Sequence, residues 1–141
     1  MQKLYQIIII DDDELSGVIN ELLIRKYDCA EKITVFDNPQ DAIDYFATLK
    51  QNGAPASEYP ELVLTDFNMP HMNGFEVIQG IREVDLPREV FFCILSASID
   101  RMENVVLEKN NVFRQLIKPL EKKEFMEMLE GIHHALAEVH A

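Results

Sequence analysis

Apolar runs and amphipathic stretches alternate five times along this chain. The first run, Ile7-Ile8-Ile9-Ile10, ends directly in Asp11-Asp12-Asp13-Glu14. Four consecutive β-branched residues suit a strand covered on both faces, as in a parallel sheet flanked by helices. Strands are predicted at 4–10, 32–36, 61–65, 90–95 and 113–117. Between the first two, Leu15, Val18, Ile19 and Leu22 share one helical face, which the amphipathic rule turns toward the core. Ala42, Ile43 and Phe46 share another, in a helix that Asn38 caps with Pro39 in its first turn. Phe125, Met128, Leu129, Ile132 and Leu136 mark the last helix. The alternation predicts an α/β doubly wound sheet with helices on both faces. Residues 50–60, with a glycine, two prolines and no periodicity, read as a long loop at the edge opposite the strand C-termini.

Composition narrows the function. The 141 residues are 48% hydrophobic, enough for one globular domain spanning 1–141 and too few for two. A net charge of −12 repels phosphates and anionic lipid headgroups, so neither nucleic acid nor a membrane is an expected partner. Cys29 and Cys93 have no partner at metal-ligand spacing and are expected to be reduced packing residues. The first apolar run is interrupted by acids and none approaches the length of a membrane span, so a cytoplasmic location is expected.

In a parallel sheet all strands end at the same edge, so residues that follow different strands converge there. Here those positions are Asp11 and Asp12, Asp66, Ser96 and Lys118. Three crowded carboxylates repel one another unless a hard divalent cation sits among them, and oxygen ligands suit Mg²⁺. Asp66 is then placed to attack phosphorus and form an acyl phosphate. Mg²⁺ and the Lys118 ammonium would hold the equatorial oxygens, and Ser96 would donate a hydrogen bond. Lys118 is expected to pair with Asp66 at rest, and Asp13 and Glu14 to serve only as helix-start residues.

The acidic cluster after the first strand, the segment Leu64-Thr65-Asp66-Phe67-Asn68-Met69-Pro70-His71-Met72-Asn73-Gly74, the pair Ser96-Ala97 and the pair Lys118-Pro119 together resemble the receiver domain of two-component response regulators. The match runs in order over nearly the whole chain. It implies a flavodoxin-like, five-stranded parallel sheet of order 2-1-3-4-5. It implies that Asp66 is phosphorylated by a histidine kinase or histidine phosphotransfer protein. Mg²⁺ would be bound by Asp12, Asp66 and the Asn68 backbone carbonyl, and by Asp11 largely through water. A cis Lys118-Pro119 bond would aim the lysine inward. A signalling module of this kind is not itself an enzyme. Its output would be a contact with a protein target, through the face of helix four, strand five and helix five that includes Ile99, Met102 and Val106, or onward transfer of the phosphoryl group.

Two positions depart from the family pattern. An aromatic that swings inward usually lies three residues before the lysine, where this chain has Gln115. A buried amide needs partners, so Gln115 is expected at the surface. The usual Gly-Ala entering strand five is replaced by Asn111-Val112.

Rival readings fail on particular residues. A dehalogenase-type phosphatase needs Thr or Val where Leu15 stands, and a calcium loop of the EF-hand type needs oxygen there and Glu at Leu22. A Rossmann dinucleotide site needs glycines next to the first strand. The alternative is a non-phosphorylated, receiver-like interaction module, against which the intact acceptor set argues.

Overall fold

A computed structural model describes residues 2–97 and 100–139. The strands β1 (Leu4–Ile10), β2 (Ala30–Phe36), β3 (Leu62–Asp66), β4 (Phe91–Ser96) and β5 (Arg114–Ile117) alternate with the helices α1 (Glu14–Lys26), α2 (Pro39–Gln51), α3 (Gly74–Arg82), α4 (Asn104–Lys109) and α5 (Lys122–Val139). The sheet is parallel throughout, in the order β2-β1-β3-β4-β5, the flavodoxin-like arrangement expected from the sequence. Strand limits lie within two residues of those read from the apolar runs.

Alternate residues of the isoleucine run supply the two halves of the core, as the period of a strand requires. Ile7 and Ile9 pack with Ile24 of α1 and with Phe125, Met128, Leu129 and Ile132 of α5. Ile8 and Ile10 pack with Ala42 and Phe46 of α2 and Val77, Ile78 and Ile81 of α3. Both cysteines are free and buried, and burial pushes the Cys93 thiol up to about 12. Among the described residues, no helix is long and apolar enough to cross a membrane.

Helix α1 departs from expectation. Its apolar stripe, Leu15, Val18, Ile19 and Leu22, faces solvent, and the opposite side, with Gly17, Asn20 and Ile24, faces the sheet. Gly17 explains the approach: a Cβ there would lie 3.0 Å from Val35 Cγ1 of β2. The helix lies against the sheet on a small residue and on Ile24, and the side chains of the predicted stripe are left outside.

The connection before β3, read as a loop over 50–60, begins only after Gln51 and is partly built into the core. It forms a 3₁₀ turn at Ala56–Glu58 and then buries Tyr59 against Phe46, with ring centroids 6.5 Å apart. Next to it, the buried Glu61 carboxylate accepts from the amides of Tyr5 (2.7 Å) and Gln6 (3.0 Å), holding the start of β1. At the entry to β5, Asn111 adopts φ 61°, a left-handed conformation that asparagine tolerates better than most non-glycine residues.

Candidate phosphoacceptor site

Strand register builds the site. Ile10 pairs with Thr65, Asp66 with Leu95, and Ser96 with Ile117, so Asp11, Asp66, Ser96 and Lys118 all stand at the C-terminal edge of the sheet. The backbone continues this registration, because the Lys118 amide donates to the Ser96 carbonyl at 2.8 Å. The Lys118-Pro119 bond is cis, as the resemblance implied.

Asp11 is 1% exposed, and its two oxygens have separate partners. One accepts from the Asp13 amide at 3.0 Å and the other from the Lys118 ammonium at 2.8 Å. Lys118 also lies 3.2 Å from the Ser16 hydroxyl and 3.7 Å from Asp66 Oδ1. The lysine therefore pairs with Asp66 as expected, but its nearer partner is Asp11, the more deeply buried acid. Asp13 caps α1, accepting from the amides of Leu15 and Ser16.

Asp66 ends β3 half-buried, and its Oδ1 accepts from the Phe67 amide at 2.9 Å. Burial raises its pKa above the ordinary carboxylate value; the Lys118 charge opposes that rise, and Asp11 and Asp12 add to it. Gly74, the first residue of α3, packs against this corner. A Cβ there would lie 3.0 Å from the Asp66 carbonyl oxygen and 2.7 Å from the end of Ile94, so the glycine permits the close approach. Ser16 and Gly74 are the contributors that sequence reasoning did not assign. Ser16 carried no signal beyond its place in the first turn of α1, whereas Gly74 closed the quoted motif.

One carboxylate oxygen from each of Asp11, Asp12 and Asp66 lies within 4.8 Å of the others. An octahedral ion with bonds of about 2.0–2.1 Å separates neighbouring ligands by about 2.9 Å, so the cluster suits Mg²⁺ with one of the three acids acting through a retained water. Asp12 is exposed and borders a cleft of about 390 Å³, together with Pro39, Met69, His71 and Met72. Asn68 lies exposed two residues beyond Asp66, and Ser96 is buried as the last residue of β4.

Gln115 corrects an expectation. It is 7% exposed rather than at the surface. Its Oε1 accepts from the Met102 amide at 2.7 Å and its Nε2 donates to the Asp100 carbonyl at 3.3 Å. The chain before α4 supplies the polar partners that the burial argument assumed would be missing. Met102 is partly buried and Val106 exposed, whereas Ile99 lies outside the described residues.

An acid-lined pocket at the C-terminal edge of a 2-1-3-4-5 parallel sheet, with a lysine reaching into it, defines a class of signalling domain. The family description "Response regulator receiver domain" matches residues 7–130, and the chain belongs to that family. It is 26% identical to the two-component response regulator ARR5 of Arabidopsis thaliana over 94% of this chain and 73% of that protein. It is 23% identical to the chemotaxis protein CheY of Halobacterium salinarum over 90% of this chain and 95% of that protein. A protein-glutamate methylesterase of Desulfotalea psychrophila is 30% identical, but the match covers only 30% of that protein, so its catalytic name says little about this chain. Among solved structures, a two-component response regulator from Cytophaga hutchinsonii superimposes with a TM-score of 0.80 at 25% identity, covering 94% of this chain and 99% of that one. The receiver domain of the Arabidopsis histidine kinase CKI1, solved with Mg²⁺ and BeF₃⁻, gives 0.78 at 18% identity over 92% of this chain and 90% of that one, a likeness of fold.

Proposed function

We propose that this chain is a phosphoacceptor receiver in which Asp66 takes a phosphoryl group from a phosphohistidine of a histidine kinase or phosphotransfer protein. The carrying observation is the convergence of Asp66, Asp11 and Asp12 around a space that suits one divalent cation, with Lys118 3.7 Å from Asp66. An Asp66 oxygen attacks phosphorus as the phosphorus–nitrogen bond of the donor breaks, and the departing imidazole keeps the electron pair and takes up a proton. Asp12, Asp66 and the Asn68 carbonyl would hold Mg²⁺, with Asp11 acting largely through water, and the ion would supply charge neutralisation at the phosphoryl oxygens. Lys118 swings between Asp11 and the incoming phosphoryl group, and Ser96 donates to a phosphoryl oxygen.

The solvent-facing stripe of α1 is the surface we assign to the donor. Leu15, Val18, Ile19 and Leu22 are 47–68% exposed, and the stripe starts three residues from Asp12. Asp12, Asp13, Glu14 and Glu21 lie near it in sequence, which favours a donor with an apolar centre and a basic rim. The exchange is assigned to the cytoplasm, where ATP-dependent kinases make phosphohistidine, and the phosphorylated state is read by a protein target at the α4, β5 and α5 face. Residues 1–141 are read as a single receiver unit. Incubation with acetyl phosphate and Mg²⁺ followed by intact-mass measurement tests the reading: wild type gains one phosphoryl mass and Asp66→Ala gains none. Equal labelling of both proteins would reject it.

A further inference from the structure

The Lys118 ammonium has three hydrogens to give, and two of them are taken on one side of the site. One goes to Asp11 Oδ2 at 2.8 Å and one to the Ser16 hydroxyl oxygen at 3.2 Å. Asp66 Oδ1 stands at 3.7 Å, an ion pair beyond hydrogen-bond reach. At rest the lysine is therefore held nearer to β1 and α1 than to the acceptor carboxylate. Ser16 reaches it because α1 sits low on the sheet. Its neighbour Gly17 is buried, and a Cβ there would lie 3.0 Å from Val35 Cγ1 and 3.9 Å from Asp11 Cβ, so a larger residue would lift the helix and the hydroxyl with it. The serine backbone is fixed as well, since its amide donates to the Asp13 side chain at 3.3 Å in the cap of α1. The half-buried hydroxyl is thus offered to the ammonium from a settled position.

We propose that Ser16 is a positioning residue that acts through Lys118 as a brake on phosphoryl capture: its hydroxyl helps hold the ammonium on Asp11, and that bond breaks before the lysine turns to a phosphoryl group arriving at Asp66. A bond present at rest and absent in the transition state raises the barrier by its own worth. The net worth of one hydrogen bond corresponds to about a threefold to tenfold change in rate. A neutral hydroxyl suits this task. It supplies an acceptor without adding a fourth charge to three crowded carboxylates, and it releases the ammonium more readily than another acid would. The inference rests on the phosphoacceptor reading for the capture step, and the hold itself is measurable without phosphate.

The test uses Ser16→Ala, which removes the acceptor, and Ser16→Thr, which restores a hydroxyl. Without phosphate, NMR detection of the Lys118 ammonium reads the hold. Its hydrogens should exchange with water about threefold to tenfold faster in Ser16→Ala and near the wild-type rate in Ser16→Thr. Ile8 and Ile9 amides should exchange at wild-type rates in both variants, showing that the fold is intact. With acetyl phosphate and saturating Mg²⁺, labelling followed by intact mass should be about threefold to tenfold faster in Ser16→Ala and unchanged in Ser16→Thr. In a Lys118→Met background Ser16→Ala should change nothing, because the hydroxyl acts only through the lysine. Unchanged ammonium exchange in Ser16→Ala overturns the hold. Labelling of Ser16→Ala at or below the wild-type rate, or a gain of the same size in the Lys118→Met background, overturns the brake. A wild type that takes no label at all rejects the phosphoacceptor reading instead, and ammonium exchange still decides the hold.

Discussion

Replacing Lys118 by methionine removes the only ammonium paired with the Asp11 and Asp66 carboxylates among the described residues, while keeping most of the side-chain volume. At an effective dielectric of about 20, the contacts at 2.8 and 3.7 Å correspond to roughly 6 and 4 kcal/mol of attraction before desolvation is subtracted. Removing one partner of a fully buried pair costs about 3–5 kcal/mol. The Lys118 side chain is 21% exposed, so solvent screens part of the loss, and Lys118→Met should cost about 2–3 kcal/mol at pH 7. The pH dependence follows from Asp66. Its pKa is raised in the folded state by burial, so its contribution to stability is fully present below the unfolded carboxylate value and fades as pH rises through the folded one. Lys118 opposes that rise, so the variant raises the Asp66 value further and steepens the fade. The gap between wild type and variant should therefore be smaller near pH 4 than at neutrality. Urea denaturation of both proteins across that range, without and with millimolar Mg²⁺, measures it, and the added cation should recover part of the loss. A constant gap at all pH values, or no response to Mg²⁺, would refute the electrostatic account and leave only lost packing.

Other consequences follow from the same geometry. Millimolar Mg²⁺ should raise the melting temperature of wild type at neutral pH and do so much less in Asp12→Ala; equal rises would mean that the ion is not held by this acid cluster. Gly74→Ala should destabilise by about 1–3 kcal/mol, an overpacking cost, and shift the Asp66 and Phe67 amide resonances, because its Cβ meets the Asp66 carbonyl; unchanged resonances would contradict the close approach. Val18→Lys on the exposed stripe of α1 should leave stability within about 0.5 kcal/mol of wild type and labelling by acetyl phosphate intact, while slowing transfer from a histidine phosphotransfer protein. Equal slowing with both donors would remove the docking assignment.

Most of the fold was legible because strands buried on both faces announce themselves as unbroken apolar runs, and the acids of the site stand where those runs end. The orientation of α1 was not. A 3.6-residue pattern tells which side of a helix is apolar but not whether that side is covered, and the close seat on Gly17 reversed the usual outcome. Gln115 was misjudged for a related reason. The cost of burying an amide depends on its partners, and these are backbone groups of Asp100 and Met102, which carry no mark in the sequence. The same holds for Glu61, whose carboxylate is buried against two amides of β1. The convergence of Asp66, Asp11, Asp12 and Lys118 could be read from strand ends alone, yet the closer pairing of Lys118 with Asp11 required the geometry.

The central claim is that one carboxylate, Asp66, forms the acyl phosphate. Borohydride reduces an acyl phosphate to an alcohol and leaves free carboxylates alone, so treating acetyl-phosphate-labelled protein with borohydride and mapping the peptides by mass spectrometry locates the acceptor directly. The account predicts reduction at Asp66 in wild type, dependent on Mg²⁺, and none anywhere in Asp66→Asn. Reduction at Asp11 or Asp12, or a label that persists in Asp66→Asn, would contradict it.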